Sequence, residues 1–209
     1  MIELGYPLSL TGVQLDALRE VGNIGAGNAA TALSQMLNMR VEMSVPEVQM
    51  LPISRVAATV GGADTYVAGI YLQITGSAPG SILFLLPLAD ARRLVRALLK
   101  ENLRDDSICF GELGCSALVE LGNIMTGSFL NALGMFTSLK YIPTVPSLCL
   151  DMVGAILGSV LHSHGVDSDT VFFIKTDFRY QGDCGVGYLF FLPEAEALVE
   201  ILNSLGVFK

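Results

Sequence analysis

Two stretches of the chain carry the spacing by three and four that marks one face of a helix. In the first, Leu15, Leu18, Gly22, Gly25, Ala29, Leu33 and Met36 are apolar or small, while Asp16, Glu20, Asn23, Gly27, Thr31 and Ser34 advance by the same steps on another face. In the second, Cys115, Leu118, Gly122, Met125, Phe129 and Leu133 form the apolar stripe, and Ser116, Glu120, Asn123, Gly127 and Asn131 the polar one. The pattern predicts long helices over about 11–37 and 111–134, starting at Thr11-Gly12 and Gly111-Glu112. Proline-bearing extended segments follow at 41–51 and 138–149. Residues 52–61 fit either a strand or a short helix, whereas 151–163 has helical period with Asp151 placed as an N-cap. Strands are expected at 65–75 and 79–87, and again at 169–180 and 185–192, joined by the turns SAPG and QGDCG. Helices at about 88–100 and 194–206 close each series, and the Arg-Arg and Lys content of 92–100 reads as a solvated face.

The two series are copies. LDALREVGNIGAG at 15–27 returns as CSALVELGNIMTG at 115–127, so Ala17, Leu18, Glu20, Gly22, Asn23, Ile24 and Gly27 recur one hundred residues later. The match continues at Val45/Val145 and Pro46/Pro146, and LFLLP at 83–87 returns as LFFLP at 189–193. Internal self-similarity of this kind means one supersecondary unit used twice. Each half alone is small for a core. The expected fold is therefore α+β, one single-domain body over 1–209 made of pseudo-two-fold repeats at about 11–100 and 111–206. Its sheets come from both halves, with the two long helices side by side on one face.

Composition narrows the function. Of 209 residues, 52% are apolar and 15% charged, which excludes a disordered chain. Mean hydropathy is +0.57. The net charge of −8 excludes ordinary nucleic-acid binding, because phosphate contacts need clustered Lys and Arg. The most apolar stretches, 142–161 and 66–88, are broken by Pro143, Pro146 and Asp151 and by Gln73, Gly76, Pro79 and Gly80, so no membrane insertion is expected. The N-terminus lacks the basic and apolar regions of a signal peptide, and the reading is a cytoplasmic protein. Cys109, Cys115, Cys149 and Cys184 form no CxxC pair, and the histidines are His162 and His164. Four buried thiols fit better than zinc ligands, and a solvated helix end fits the histidines better than half a metal site.

The polar stripes carry the candidate chemistry. A solvated helix face explains Asp, Glu and Ser, but it does not explain glycine. A mid-helix Gly costs about 1 kcal/mol relative to Ala, and Gly27 and Gly127 lie on faces where core packing does not ask for them. A missing side chain there lets something approach the helix closely. Residues 25–30, GAGNAA, also fit a permissive dinucleotide fingerprint. That fingerprint needs a strand just before it, whereas QLDALREVGN has helical period and the second copy, NIMTGS, loses the pattern.

The repeated pattern Asp16-Glu20-Asn23-Gly27 and Ser116-Glu120-Asn123-Gly127 resembles the CheC family of chemotaxis phosphatases, over nearly the whole chain. The related CheX proteins look like carriers of one motif in a dimer, and FliY-type proteins carry extra segments. The resemblance implies an enzyme that hydrolyses the aspartyl phosphate of the response regulator CheY. It has no cofactor of its own, since the regulator supplies Mg²⁺. Asn23 and Asn123 would hold the attacking water, and Glu20 and Glu120 would pair with the regulator's active-site lysine. Gly27 and Gly127 would permit the approach. Asp16 and Ser116 could equally serve capping or local hydrogen bonding. The family also binds CheD, a receptor glutamine deamidase, through the helix that begins near Asp151. Here Asp151, Met152, Gly154 and Ala155 are the candidates, with a plain core role for 152–161 as the alternative. The protein is expected to act as a monomer. A non-catalytic adaptor for CheD or the flagellar motor is the other functional reading.

Overall fold

A computed structural model describes residues 12–99, 110–164 and 170–205. The order is α1 (Gly12–Leu37), β1 (Val41–Pro52), α2 (Ile53–Val60), β2 (Tyr66–Gly76), β3 (Gly80–Pro87), α3 (Leu88–Leu99), α4 (Gly111–Thr137), β4 (Tyr141–Pro143), β5 (Ser147–Met152), α5 (Val153–His164), β6 (Thr170–Tyr180), β7 (Asp183–Pro193) and α6 (Ala195–Ser204). The segment 52–61 resolves as the helix α2. It ends on Gly61 at φ +117°, whose N–H reaches back toward the carbonyls of Ala57 and Ala58, a left-handed cap that glycine adopts without a Cβ clash. Asp151 is not a helix cap. It lies in β5 opposite Val67, and its Oδ1 accepts the N–H of Met152 at 2.8 Å, so α5 begins two residues later than the Asp suggests.

All strands join one antiparallel sheet in the order β1-β6-β7-β3-β2-β4, with β5 continuing β4 along the same edge of β2. Leu83 pairs with Phe190 and Phe84 with Leu189. These are the matching residues of LFLLP and LFFLP, so the pseudo-two-fold axis passes between the two pairs. Toward the edges, Leu51 pairs with Val171 and Pro52 with Thr170, while Asp151 pairs with Val67 and Met152 with Tyr66. The first strand of each half thus lies on the hairpin of the other half. Neither half holds a separate sheet.

The repeated Val-Pro now has a structural meaning. The register of β1 on β6 shifts between Ser44 and Glu47, where Val45 and Pro46 stand. At the matching place in the second half, Thr144, Val145 and Pro146 separate β4 from β5. Proline cannot donate to a ladder and is confined to edges and bulges. Both edge strands are interrupted this way, which also blunts edge-to-edge pairing.

Alternation through the central strands builds two cores. Ile82, Phe84 and Leu86 point to the side covered by α1, α3, α4 and α6, and Leu83 and Leu85 to the side covered by α2 and α5. That double burial is why β3 reads as the unbroken apolar run ILFLL. Helix α4 is long and apolar enough to cross a membrane by length and composition. Its Leu118, Met125, Phe129 and Leu133 are instead packed into the larger core. The thiols depart from expectation: Cys149 and Cys184 are exposed and Cys115 is half-buried, while Cys109 lies outside the described residues. The side chains of His162 and His164 lie outside them as well. Nor is the arginine segment simply solvated. Arg93 pairs with the buried Asp90, which also accepts the N–H of Val186 at 3.3 Å, tying α3 to β7.

The inner faces of the long helices need their glycines. A Cβ on Gly122 would stand 2.5 Å from Cγ2 and 2.8 Å from Cβ of Ile70, a branched side chain fixed in β2. Gly122→Ala is expected to lower stability by about 1–2 kcal/mol, overpacking outweighing the gain of about 1 kcal/mol in helix propensity. Urea unfolding checks this through a lower midpoint at unchanged slope.

Candidate active site

Helices α1 and α4 press their apolar stripes onto the sheet. Leu18, Gly22, Gly25, Ala29 and Leu33 are buried on α1, and Leu118, Gly122, Met125, Phe129 and Leu133 on α4. The helices also meet each other: a Cβ on Gly25 would stand 3.1 Å from Cα of Phe129. They therefore lie side by side on one face of the sheet.

Turning the inner faces inward turns the polar stripes out. Asp16, Glu20, Asn23 and Gly27 are exposed, as are Ser116, Glu120 and Asn123, with Gly127 half-buried. Among the described residues, nothing donates to, accepts from or ion-pairs with the side chains of Glu20, Asn23, Glu120 or Asn123. Each amide keeps two donors and an acceptor free, and each carboxylate its acceptors. Asp16 differs, with Arg19 at 3.6 Å, both exposed. Asp16 and Ser116 sit inside their helices rather than at the first residue, so capping does not account for either.

The glycines divide by face. At Gly22, Gly25 and Gly122 a Cβ would stand 3.3, 3.1 and 2.5 Å from a neighbouring atom, whereas at Gly27 and Gly127 such a carbon would meet nothing within 4 Å. Packing within the chain does not ask for these two glycines, so a carboxylate, a carboxamide and a bare stretch of backbone remain on each stripe. The copies are not identical around this shared set. Thr31 Oγ1 donates to the carbonyl of Gly27 at 3.0 Å in the first, while Thr126 Oγ1 donates inward to the carbonyl of Gly122 at 2.7 Å in the second.

Two features were less visible in the sequence. Val13 and Leu113 extend the stripes by one turn and are 69% and 67% exposed. A step of three back from Asp16 and Ser116 was the available signal. On α5, residues 152–161 divide by face. Val153, Ile156 and Val160 are core, Gly154 and Ala155 are exposed, and Asp151 and Met152 are half-buried. A cleft of about 320 Å³ runs beside them, lined by Tyr71, Cys149, Asp151, Ala155 and Ser159. It lies on the side of the sheet opposite the stripes. Residues 25–30 sit in the middle of α1 with no strand before them, which removes the dinucleotide reading. Among the described residues, no three of His, Cys, Asp and Glu stand together to hold a metal ion.

Comparison with known proteins agrees with this geometry. The CheC-like family profile matches residues 13–50 and 113–149, the two motif helices with the strands that follow them. The chain is 37% identical over 205 residues to the CheY-P phosphatase CheC of Bacillus subtilis (strain 168), covering 92% of this chain and 94% of that protein. It is 31% identical over 131 residues to the flagellar motor switch phosphatase FliY of the same organism, of which it spans 34%. The crystal structure of Thermotoga maritima FliY superposes with a TM-score of 0.74 at 17% identity, over 94% of this chain and 98% of that one. With its duplicated fold, its paired stripes and a relative matched nearly end to end, the chain belongs to the CheC-like family.

Proposed function

We propose that α1 and α4 are the working surfaces of a phosphatase that hydrolyses the aspartyl phosphate of CheY. The observation that carries the reading is the pair of outward stripes: Glu and Asn side chains without partners among the described residues, each beside a glycine with open space above it. The near full-length likeness to a CheY-P phosphatase supports the same substrate.

The chemistry asks little of this chain beyond position. A water oxygen attacks phosphorus in line, the bond from phosphorus to the aspartyl oxygen breaks, and the regulator recovers its carboxylate while inorganic phosphate leaves. The Mg²⁺ that neutralises developing charge belongs to the phosphorylated regulator. Asn23 or Asn123 inserts into that cleft and holds the water by its carboxamide, which turns a diffusional encounter into an oriented one. Glu20 or Glu120 pairs with the regulator's lysine and fixes the helix over the phosphoryl group through a charge-assisted contact. Gly27 or Gly127 lets the regulator's backbone come against the helix. The protein acts in the cytoplasm as a monomer, since one chain carries both stripes.

CheD is proposed to dock where the end of β5 meets the exposed face of α5, at Asp151 and Met152 of β5 and Gly154 and Ala155 of α5. Its place across the sheet leaves both stripes open to CheY at the same time. In the adaptor reading the stripes themselves serve as docking faces for CheD or a motor component, and no turnover follows.

Three outcomes test the proposal. With excess phosphorylated CheY, Asn23→Ala and Asn123→Ala each lower turnover, and the double variant loses about a hundredfold or more; full turnover in the double variant removes the mechanism. Gly27→Ala with Gly127→Ala raises stability by up to about 1 kcal/mol at each site, as helix propensity requires, yet lowers turnover. A merely solvated face would give the same stabilisation with activity intact, so denaturant unfolding and phosphate release are measured on the same preparation. Ala155→Glu weakens CheD binding by calorimetry while turnover of CheY by this chain alone stays unchanged.

A further inference from the structure

The geometry points to Val13 and Leu113 as docking residues that seat the response regulator on each stripe. The inference rests on the reading of the stripes given above and adds a contact to it. At about 100° per residue, position 13 falls about 20° beyond Glu20, at the edge of the arc swept by Asp16, Glu20, Asn23 and Gly27, and Leu113 bears the same relation to Ser116, Glu120, Asn123 and Gly127. The two are among the most exposed large apolar residues described, at 69% and 67%.

A single exposed aliphatic side chain needs no explanation. Two at matched positions of a duplication, equally exposed and on the same stripe, ask for a cause. Their neighbours have diverged: Gly12 and Gln14 stand where the second copy has Glu112 and Gly114. Core packing is not that cause, since the residues in contact with the sheet lie on the opposite face of each helix.

The occupant follows from continuity with the catalytic stripe. At a rise of about 1.5 Å per residue, Val13 stands about 10 Å along α1 from Glu20 and about 15 Å from Asn23. A specific interface buries about 800 Å² on each partner, a patch about 30 Å across. A regulator whose phosphorylation cleft receives Asn23 therefore covers Val13 as well. The two residues are too far from the amide to touch the phosphoryl group, so they position the partner and take no part in the chemistry. The matching contact on the regulator is an apolar side chain on the rim outside its cleft. An apolar anchor beside charged and amide groups is the usual anatomy of such a patch.

The test is steady-state turnover of phosphorylated CheY by the full chain carrying Val13→Ser with Leu113→Ser. Loss of one apolar contact of this size at each stripe is expected to raise KM about tenfold while kcat holds. The swap Val13→Leu with Leu113→Val, which keeps apolar character at both positions, retains the parental KM. Thermal unfolding confirms that each variant is folded, and Val13→Ala with Leu113→Ala replaces the serine pair if that pair is not. An unchanged KM overturns the inference, and so does a fall in kcat at unchanged KM. The parent reading is judged separately by Asn23→Ala with Asn123→Ala. Loss of turnover there, alongside an unchanged KM in the serine variant, would leave the phosphatase standing and remove the docking role alone.

Discussion

The rest of the structure depends on how closely α1 and α4 can approach the sheet and each other. Gly122 lies against Ile70, Gly22 against Val45, and Gly25 against the backbone of Phe129. A Cβ at Gly122 would overlap Ile70, and at Gly25 and Gly22 it would come within 3.1 and 3.3 Å of its neighbours, so added side chains would push the helices away. Each helix is therefore locked in rotation about its own axis, and its opposite face is committed to solvent. The inner glycines and the outer Glu-Asn pairs are two consequences of one requirement, because only a helix that cannot roll keeps a carboxamide aimed outward. That is what water positioning demands, since small misplacement of a catalytic group costs large factors in rate.

The interleaved sheet gives that rigidity its base. Each half lends its first strand to the other half's hairpin, so the two motif helices are carried by one hydrogen-bonded body. The same symmetry separates surfaces. The stripes lie over the core formed by Phe84, Phe172 and Phe191, and the exposed face of α5 lies over the one formed by Phe173 and Phe190. Two proteins can thus be engaged on opposite sides of the sheet without competing for space.

Much of this was legible in the sequence, because the duplication doubles every signal. Period, stripe and motif appear twice, and coincidence explains one copy more easily than two. The long helices and both hairpins follow directly. What stayed hidden depends on partners remote in sequence. Residues 52–61 gave no clear period, and their helix is set by packing of Val56 and Val60 against the far face of the sheet. Asp151 looked like a cap because local spacing cannot show that β2 recruits it into a strand. Residue type alone predicts buried thiols, whereas Cys149 lies on an edge strand and Cys184 just after the turn at Gln181-Gly182. The exchange of strands between halves could not be seen either, since a repeat reveals equivalence but not which copy pairs with which. Gly27 and Gly127 were the opposite case: the sequence marked them as unneeded by packing, and the open space above them agrees.

The most direct measurement is the structure of this protein bound to CheY carrying beryllofluoride, a stand-in for the aspartyl phosphate. The account requires α1 or α4 to lie across the regulator's phosphorylation cleft, with the carboxamide of Asn23 or Asn123 within hydrogen-bond distance of the in-line water position. A complex in which CheY instead rests on α2 and α5, with both stripes left in solvent, would contradict it.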